Sequence, residues 1–196
     1  MKKTIIIKNA INKELALFLH EYLKLKKQVC IFLFDNNILP SKSQVYGTFQ
    51  DSQVPNTYSV YSATAFEVLL DKLRPVVEKK LKTKLIPTYS YARLYKKDDE
   101  LKRHLDRPSC KISVTLNLGG DKWPIYMNET AGKNKKEKEV ILSPGDLVIY
   151  PGDKFEHWRL PFKGKSCSQV FLHYNKKTNN NNKYDGRKSL GIPIYV

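Results

Sequence analysis

From residue 85 onward the chain is a succession of short apolar runs, each closed by a turn: PTYSYARLY, KISVTLNLG, WPIYM, EVILS, DLVIYPG, EHWRLPF and SCSQVFLHYN. Runs this short, rich in β-branched and aromatic residues and separated by Gly, Pro, Asn and Asp, read as strands. One such strand cannot bury its apolar face alone. Many of them at this spacing bury it together in a sandwich or jelly roll.

The first eighty residues have a different period. In NKELALFLHEYLKLKKQ, residues 12–28, Leu15, Phe18, Leu19, Tyr22 and Leu25 fall at helical spacing behind Asn12, a good N-cap. The spacing predicts that this face packs inward. VCIFLF at 29–34 reads as a buried strand turned by DNN, and the polar stretch 40–61, with Pro40, Gly47 and Pro55, as a long loop. SATAFEVLLDKLRPVVEKKLKTK starts a second helix with Ser62 as its cap. Phe66, Leu69, Leu70, Leu73, Val76 and Val77 lie along one side of it, and Pro75 should kink it or end it early. TIIIKNAI supplies a short strand-like lead.

The expected class is therefore α+β, mainly β. Helices near 12–27 and 62–82 buttress the outer face of one sheet. The chain divides into an N-terminal helix-and-loop part at 1–84, a β-core at 85–175 and a polar tail at 176–196. The charged NETAGKNKKEKE is expected to be a solvated loop, and the end of the tail, LGIPIYV, to dock back.

Length and composition narrow the function. A chain of 196 residues suits one domain with a sizeable core. The opening apolar run is too short for a signal peptide, and no run approaches the roughly 18–20 apolar residues that span a bilayer. A soluble, cytoplasmic protein is expected. Cys30, Cys110 and Cys167 are odd in number and show no Cys-x-x-Cys spacing, which argues against a disulfide framework and a thiolate zinc site. The net charge of +16 admits nucleic acid as a partner. Most of that charge is lysine, however, beside abundant asparagine and isoleucine, a mixture that AT-rich coding also produces. Base-edge readers favour arginine, and no basic-aromatic recognition motif is present.

The chemistry concentrates in RHLDRPSCKISVTLNLG, residues 103–119. Residues two apart on a strand share a face, so His104 and Asp106 project together with Leu105 opposed. His157 opens another strand some fifty residues later. Two imidazoles and one carboxylate on one side of a metal leave its other positions open, the arrangement of the non-haem Fe(II) facial triad. On the strand that follows, Ser113, Thr115 and Asn117 face one way and Ile112, Val114, Leu116 and Leu118 the other. His20 and His173 have no ligand partner at useful spacing and read as structural.

Residues from about 85 to 175 resemble the 2-oxoglutarate- and Fe(II)-dependent dioxygenases, in their prolyl 4-hydroxylase-like branch. Tyr95 stands nine residues before His104. His-x-Asp is HLD, and SPGDLVIYPGDKFEH leads to the distal histidine. Pro161 and Gly164 follow it. PTYSYARLY, RPSCKIS, EHWRLPF and QVFLHYN are closest to small phage and marine-microbial members. The resemblance implies a double-stranded β-helix that binds Fe(II) through His104, Asp106 and His157. It also implies 2-oxoglutarate and dioxygen as cosubstrates, with ascorbate as an auxiliary reductant, and hydroxylation of a C–H bond. Tyr95 and Thr115 would hydrogen-bond the cosubstrate. The family's basic residue for its far carboxylate falls at Ser166 here, with Lys165 one place early. Arg159, two residues after His157, is the first candidate to replace it, then Lys165, then Arg93. Arg107 and Trp123 are candidate substrate contacts, although core packing is the commoner role of such a tryptophan. Substrates consistent with the resemblance are a peptidyl, prolyl-type residue, a nucleobase or a small metabolite. A jelly-roll binding protein without turnover is the alternative.

Overall fold

The computed structural model describes residues 1, 3–129, 137–177 and 183–192. Ten strands, β1 Ile5–Ile7, β2 Tyr58–Tyr61, β3 Leu85–Lys96, β4 Leu101–His104, β5 Ile112–Gly120, β6 Ile125–Asn128, β7 Glu137–Val140, β8 Leu147–Tyr150, β9 His157–Arg159 and β10 Ser166–Lys176, accompany two helices, α1 Lys13–Asp35 and α2 Thr64–Leu81. The strands form a larger sheet in the order β1-β8-β5-β10-β3-β2 and a smaller one in the order β4-β9-β6-β7. The chain from β3 to β10 keeps crossing between the two sheets, and every strand pair is antiparallel. This is the double-stranded β-helix expected of residues 85–175.

Alternation along β5 shows how the sequence builds two cores. Ile112, Val114, Leu116 and Leu118 join Leu19, Leu23, Phe66, Leu70 and Val77 in the layer between the larger sheet and the helices. Ser113, Thr115 and Asn117 point into the barrel and are also buried. Each has a partner there: Ser113 bonds Asp106, Thr115 bonds the Tyr150 hydroxyl, and the Asn117 amide donates to the Leu142 carbonyl. The polar face of β5 is thus interior, and each of its side chains is hydrogen-bonded, although Oδ1 of Asn117 is buried without a partner. Cys30, Cys110 and Cys167 are free and buried.

Both helices differ from their sequence expectations. Asn12 caps α1 by accepting from the Leu15 N–H at 2.8 Å. The helix then runs through VCIFLF to Asp35, so 29–34 is not a strand. A short apolar run has no period that separates strand from helix, and here the preceding helix simply continues. Its inward face is also rotated. Ala16, Leu19, His20, Leu23 and Cys30 are buried, whereas Leu15, Phe18 and Leu25 are exposed. In α2, Pro75 neither kinks nor ends the helix, which continues to Leu81. Phe66, Leu70, Leu73 and Val77 are buried on both sides of it, and packing overrides the local cost. Ser62 is not the cap. Ala63 takes that place, while Ser62 sits at φ +57° and donates to the Ile192 carbonyl.

That last contact belongs to the tail. Between Lys183 and Ile192 the chain lies against α2, β2 and β3. Arg187 pairs with the buried Glu67 carboxylate at 3.0 Å and donates to the carbonyls of Thr88 and Ile192. Glu67 also accepts from the N–H groups of Ser90 and Gly191. The tail end docks as expected as far as Ile192, and residues 193–196 of LGIPIYV lie outside the described residues, as does most of the NETAGKNKKEKE loop. Glu67→Gln keeps the shape but removes the charge behind these bonds. It should cost about 1.5–3 kcal/mol in thermal or urea unfolding, the scale of a hydrogen bond to a charged group.

Candidate active site

His104 ends β4 and His157 begins β9, and the two residues face each other across that antiparallel pair with ring centroids 4.2 Å apart. Asp106 follows two residues after β4. Its N–H donates to the Gly152 carbonyl at 2.8 Å, tying it to the turn between β8 and β9. Fifty residues of sequence thus collapse to one point because β4 and β9 are neighbours in the smaller sheet.

The hydrogen bonds around this point fix its chemistry. Nδ1 of His104 lies 2.8 Å from the Lys102 carbonyl, and Nδ1 of His157 lies 2.9 Å from the Phe155 carbonyl. A carbonyl can only accept, so each Nδ1 carries a proton and Nε2 is the ring nitrogen left for a metal. Both Nε2 atoms face Oδ1 of Asp106, at 3.6 Å and 3.4 Å. The other carboxylate oxygen, Oδ2, accepts from the Ser113 hydroxyl at 2.6 Å. Burial works against the Asp106 charge, but the two imidazoles more than offset it and hold the carboxyl far below the ordinary carboxylate range. Two nitrogens and one oxygen therefore converge within 4.8 Å of one another, a group that could hold a metal ion.

Gly152 makes this approach possible. A Cβ built there would stand 2.2 Å from Oδ2 of Asp106 and 2.3 Å from Oγ of Ser113. Gly152→Ala must displace the carboxylate or its anchor. Metal affinity should fall by about 10- to 100-fold, the usual cost of disturbing a ligand's support, while the far-ultraviolet spectrum stays unchanged.

A cavity of about 360 Å³ opens beside the three donors. Toward the interior it meets Leu101, Ile125, Tyr150 and Phe171. Tyr150 packs edge-on against the His157 ring at 4.9 Å. Toward solvent it is bounded by Asp51, Gln53, Tyr91 and Arg93 on one side and by Tyr61, Tyr89 and Arg107 on another. The second group is layered: Arg107 lies over Tyr89, Tyr89 stacks on Tyr61, and Arg187 lies over Tyr61. Asp185 of the tail accepts from both Arg107, at 2.5 Å, and the Tyr61 hydroxyl, at 2.8 Å.

The candidate carboxylate partners fall in different places. Arg159 is buried in the barrel, donates to the Trp123 carbonyl and lies over the Trp123 ring at 4.9 Å. Tyr95 packs edge-on against the same ring at 4.8 Å. Nε of Arg159 and the Tyr95 hydroxyl are both buried without a partner, and among the described residues Arg159 has no acid within ion-pair distance. Arg93 lines the cavity but is already paired with Asp51 at 2.5 Å and bonded to Gln53. Lys165 is exposed on the turn before β10, where its N–H donates to Asp121. Trp123 takes the core position that is the commoner expectation for it. It is 6% exposed, donates to the Leu160 carbonyl and packs on Phe162 rather than lining the cavity. Thr115 is committed to the Tyr150 hydroxyl at 3.2 Å. His20 bonds Ser168, and His173 lies behind the site against Ser113.

The sequence reading missed Ser113 as the anchor of Asp106, together with Tyr150, Asp51 and Asp185. The alternation along β5 carried the first of these. The acids on the 48–57 loop and on the tail have no local signal, because only the fold brings them to the rim.

No family model and no curated protein matches the sequence. Solved structures do match. A Pseudomonas putida prolyl-4-hydroxylase superposes with TM-score 0.60 at 15% identity, over 89% of this chain and 93% of that one. HygX from Streptomyces hygroscopicus, solved with nickel, 2-oxoglutarate and hygromycin B, gives 0.61 at 11%, over 88% and 82%. The viral collagen prolyl hydroxylase of Paramecium bursaria Chlorella virus-1, in complex with 2-oxoglutarate, gives 0.51 at 12%, over 89% and 96%. The chain has the double-stranded β-helix fold of the 2-oxoglutarate- and Fe(II)-dependent oxygenases.

Proposed function

We propose that the protein is a 2-oxoglutarate- and Fe(II)-dependent oxygenase that hydroxylates a C–H bond, with a peptidyl, prolyl-type residue as its substrate. The observation that carries this reading is the convergence of His104 Nε2, His157 Nε2 and Asp106 Oδ1, with every second atom of those side chains already hydrogen-bonded elsewhere. Such a donor set suits a divalent iron with open positions and not a closed structural ion. Iron with 2-oxoglutarate and dioxygen supplies the oxidising chemistry; the protein supplies ligation, orientation and exclusion of water.

The chain's own residues fit those tasks. The two backbone-bonded imidazoles and the Ser113-bonded carboxylate would hold the metal. The unpartnered Arg159 guanidinium and Tyr95 hydroxyl, side by side on Trp123, suit the far carboxylate of 2-oxoglutarate. A dianion entering the barrel requires such donors. Leu101, Ile125 and Phe171 are apolar walls of the cavity, which Arg159 and Tyr95 do not themselves line. Arg107, at the rim and paired with Asp185, is the residue we assign to the substrate.

Likeness to two prolyl hydroxylases over nearly their whole length supports the peptidyl reading. A second reading, a small metabolite, is supported by a cavity in the size range of small-molecule sites and by the likeness to HygX. Nucleic acid is disfavoured because both rim arginines are already paired with acids, Arg93 with Asp51 and Arg107 with Asp185. Among the described residues no helix is long and apolar enough to cross a membrane.

The test is anaerobic titration with Fe(II) and 2-oxoglutarate, followed in air by succinate release over proline-bearing peptides, metabolites and oligonucleotides. About one iron per chain and cosubstrate binding below millimolar are expected. Absence of 2-oxoglutarate binding at millimolar concentration would leave a jelly-roll binding protein.

A further inference from the structure

The polar tail is anchored by Arg187, which meets the buried Glu67 carboxylate and the carbonyls of Thr88 and Ile192. The turn just before that anchor has an unusual backbone. Tyr184, Asp185 and Gly186 all lie in the left-handed region, at φ +53°, +59° and +84°. Only glycine adopts that region freely, so Tyr184 and Asp185 are held there against their own preference. Arg187 supplies the hold: its Nε and its backbone N–H both donate to the Tyr184 carbonyl, at 2.7 Å and 3.2 Å. The result is one carboxylate set against the cavity wall. Asp185 accepts from Nη2 of Arg107 at 2.5 Å and from the Tyr61 hydroxyl at 2.8 Å, the residues on either side of Tyr89 in the layered wall. The Arg107 side chain is 49% exposed, and an ion pair to such a group adds little stability. Stability therefore does not account for a strained turn that makes this contact, whereas the placing of wall residues does.

That placing decides what Arg107 offers. Nη2 is taken by Asp185, and Nε by the Tyr89 hydroxyl at 3.2 Å. Nη1 is the guanidinium nitrogen without a partner among the described residues. A guanidinium is planar, so fixing two of its nitrogens fixes the third. Its charge is already balanced by Asp185. A carboxylate or phosphate is best held by two parallel N–H groups and an unbalanced charge, and Arg107 offers neither. One oriented, charge-balanced donor suits a neutral acceptor instead, such as an amide carbonyl.

We propose that Asp185 is a positioning residue of the substrate site: through it the tail holds Arg107 so that Nη1 donates to a backbone carbonyl of the substrate. The identity of that acceptor rests on the peptidyl reading above. The tail is then part of the cavity wall and not only a staple on α2.

Nitrogen-15 spectra of the arginine side chains test the placing without turnover. The chain has six arginines, and the Nε–H signal of Arg107 is assigned by its loss in Arg107→Met. In Asp185→Asn that signal should exchange with water about tenfold faster than in the parent, the scale of one lost hydrogen bond, with the Arg159 signal unmoved. The melting temperature should stay within about 4 °C. On a proline-bearing peptide that releases succinate, Asp185→Asn should raise KM about tenfold, with kcat within about twofold and 2-oxoglutarate affinity unchanged. On the Arg107→Met background the same substitution should raise KM less than about threefold, because its effect runs through Arg107. An Arg107 signal indifferent to Asp185→Asn overturns the proposal. So does a KM penalty of equal size with and without Arg107. A parent that prefers peptides with Asp or Glu beside the proline to neutral ones by about tenfold overturns it in favour of an anionic substrate group. The spectra need neither iron nor cosubstrate, so their result stands apart from any failure of the parent to bind 2-oxoglutarate, which counts against the oxygenase reading.

Discussion

Alanine at His157 is expected to cost the protein its metal. Removing a direct ligand should lower Mn(II) or Fe(II) affinity by more than the roughly 10- to 100-fold that follows from disturbing ligand supports, and turnover should vanish with it. The expectation is sharper because a rival donor set shares Asp106. Asp106, Cys110 and His173 also bring ligand atoms within 4.8 Å of one another. The two sets differ in chemical readiness. Burial pushes the Cys110 thiol up to about 12, so it stays protonated, whereas a metal takes the thiolate. Nδ1 of His173 is also occupied at Ser113. His157, by contrast, turns a free Nε2 toward Asp106. Titration of Mn(II) by its electron paramagnetic resonance signal into His157→Ala, Cys110→Ala and His173→Gln separates the two. Loss of affinity confined to His157→Ala is expected. If His157→Ala binds as tightly as the parent while Cys110→Ala does not, the metal belongs to the other set.

Much of the barrel was legible in the sequence because strand alternation is a local signal. KISVTLNLG displays two faces by inspection, and the structure buries both, one against the helices and one inside the barrel. The helices were less legible. In α1 two apolar stripes compete, and Leu15, Phe18 and Leu25 give as regular a pattern as Ala16, Leu19 and Leu23. Only the barrel decides which of them is inside. The extension of α1 through VCIFLF and the survival of Pro75 within α2 are likewise decided by what each helix packs against, not by propensity.

The site divides along the same line. His104 and Asp106 could be paired in advance because strand spacing and the His-x-Asp pattern are carried by adjacent residues, whereas His157, some fifty residues on, is joined to them through the family resemblance. Lys165 could not be dismissed, because the place of a side chain on a turn depends on how the next strand starts. Asp51, on the 48–57 loop, and Asp185, on the tail, are distant in sequence from everything they touch. Their effect is to neutralise Arg93 and Arg107, which strand position alone would leave as free cations.

That neutralisation leaves Arg159 as the buried guanidinium without an acid among the described residues, and a consequence follows for binding and stability together. If Arg159 meets the far carboxylate of 2-oxoglutarate, Arg159→Met should weaken the cosubstrate by about 3–5 kcal/mol, the scale for removing one partner of a buried charge pair. This is a loss of roughly two to four decades in affinity. Tyr95→Phe removes one hydroxyl donor and should cost about 0.5–1.5 kcal/mol, tenfold or less. Lys165→Met, on an exposed turn, should cost under about 1 kcal/mol. The sign of the stability change is the stricter check. In the cosubstrate-free protein Arg159 is a buried cation without an anionic partner, and such a group opposes folding. Methionine, of similar length and apolar, removes that cost and forfeits the bond to the Trp123 carbonyl and the contact of the charge with its ring. The free Arg159→Met protein should therefore melt at or above the parent's temperature. With saturating 2-oxoglutarate the order should reverse, since the parent alone gains from binding. Anaerobic titration and paired melting curves measure both effects. A variant that binds 2-oxoglutarate like the parent would transfer the role to Arg93. One that binds weakly but also melts well below the parent without cosubstrate would show that Arg159 is a structural residue of the barrel and not its carboxylate site.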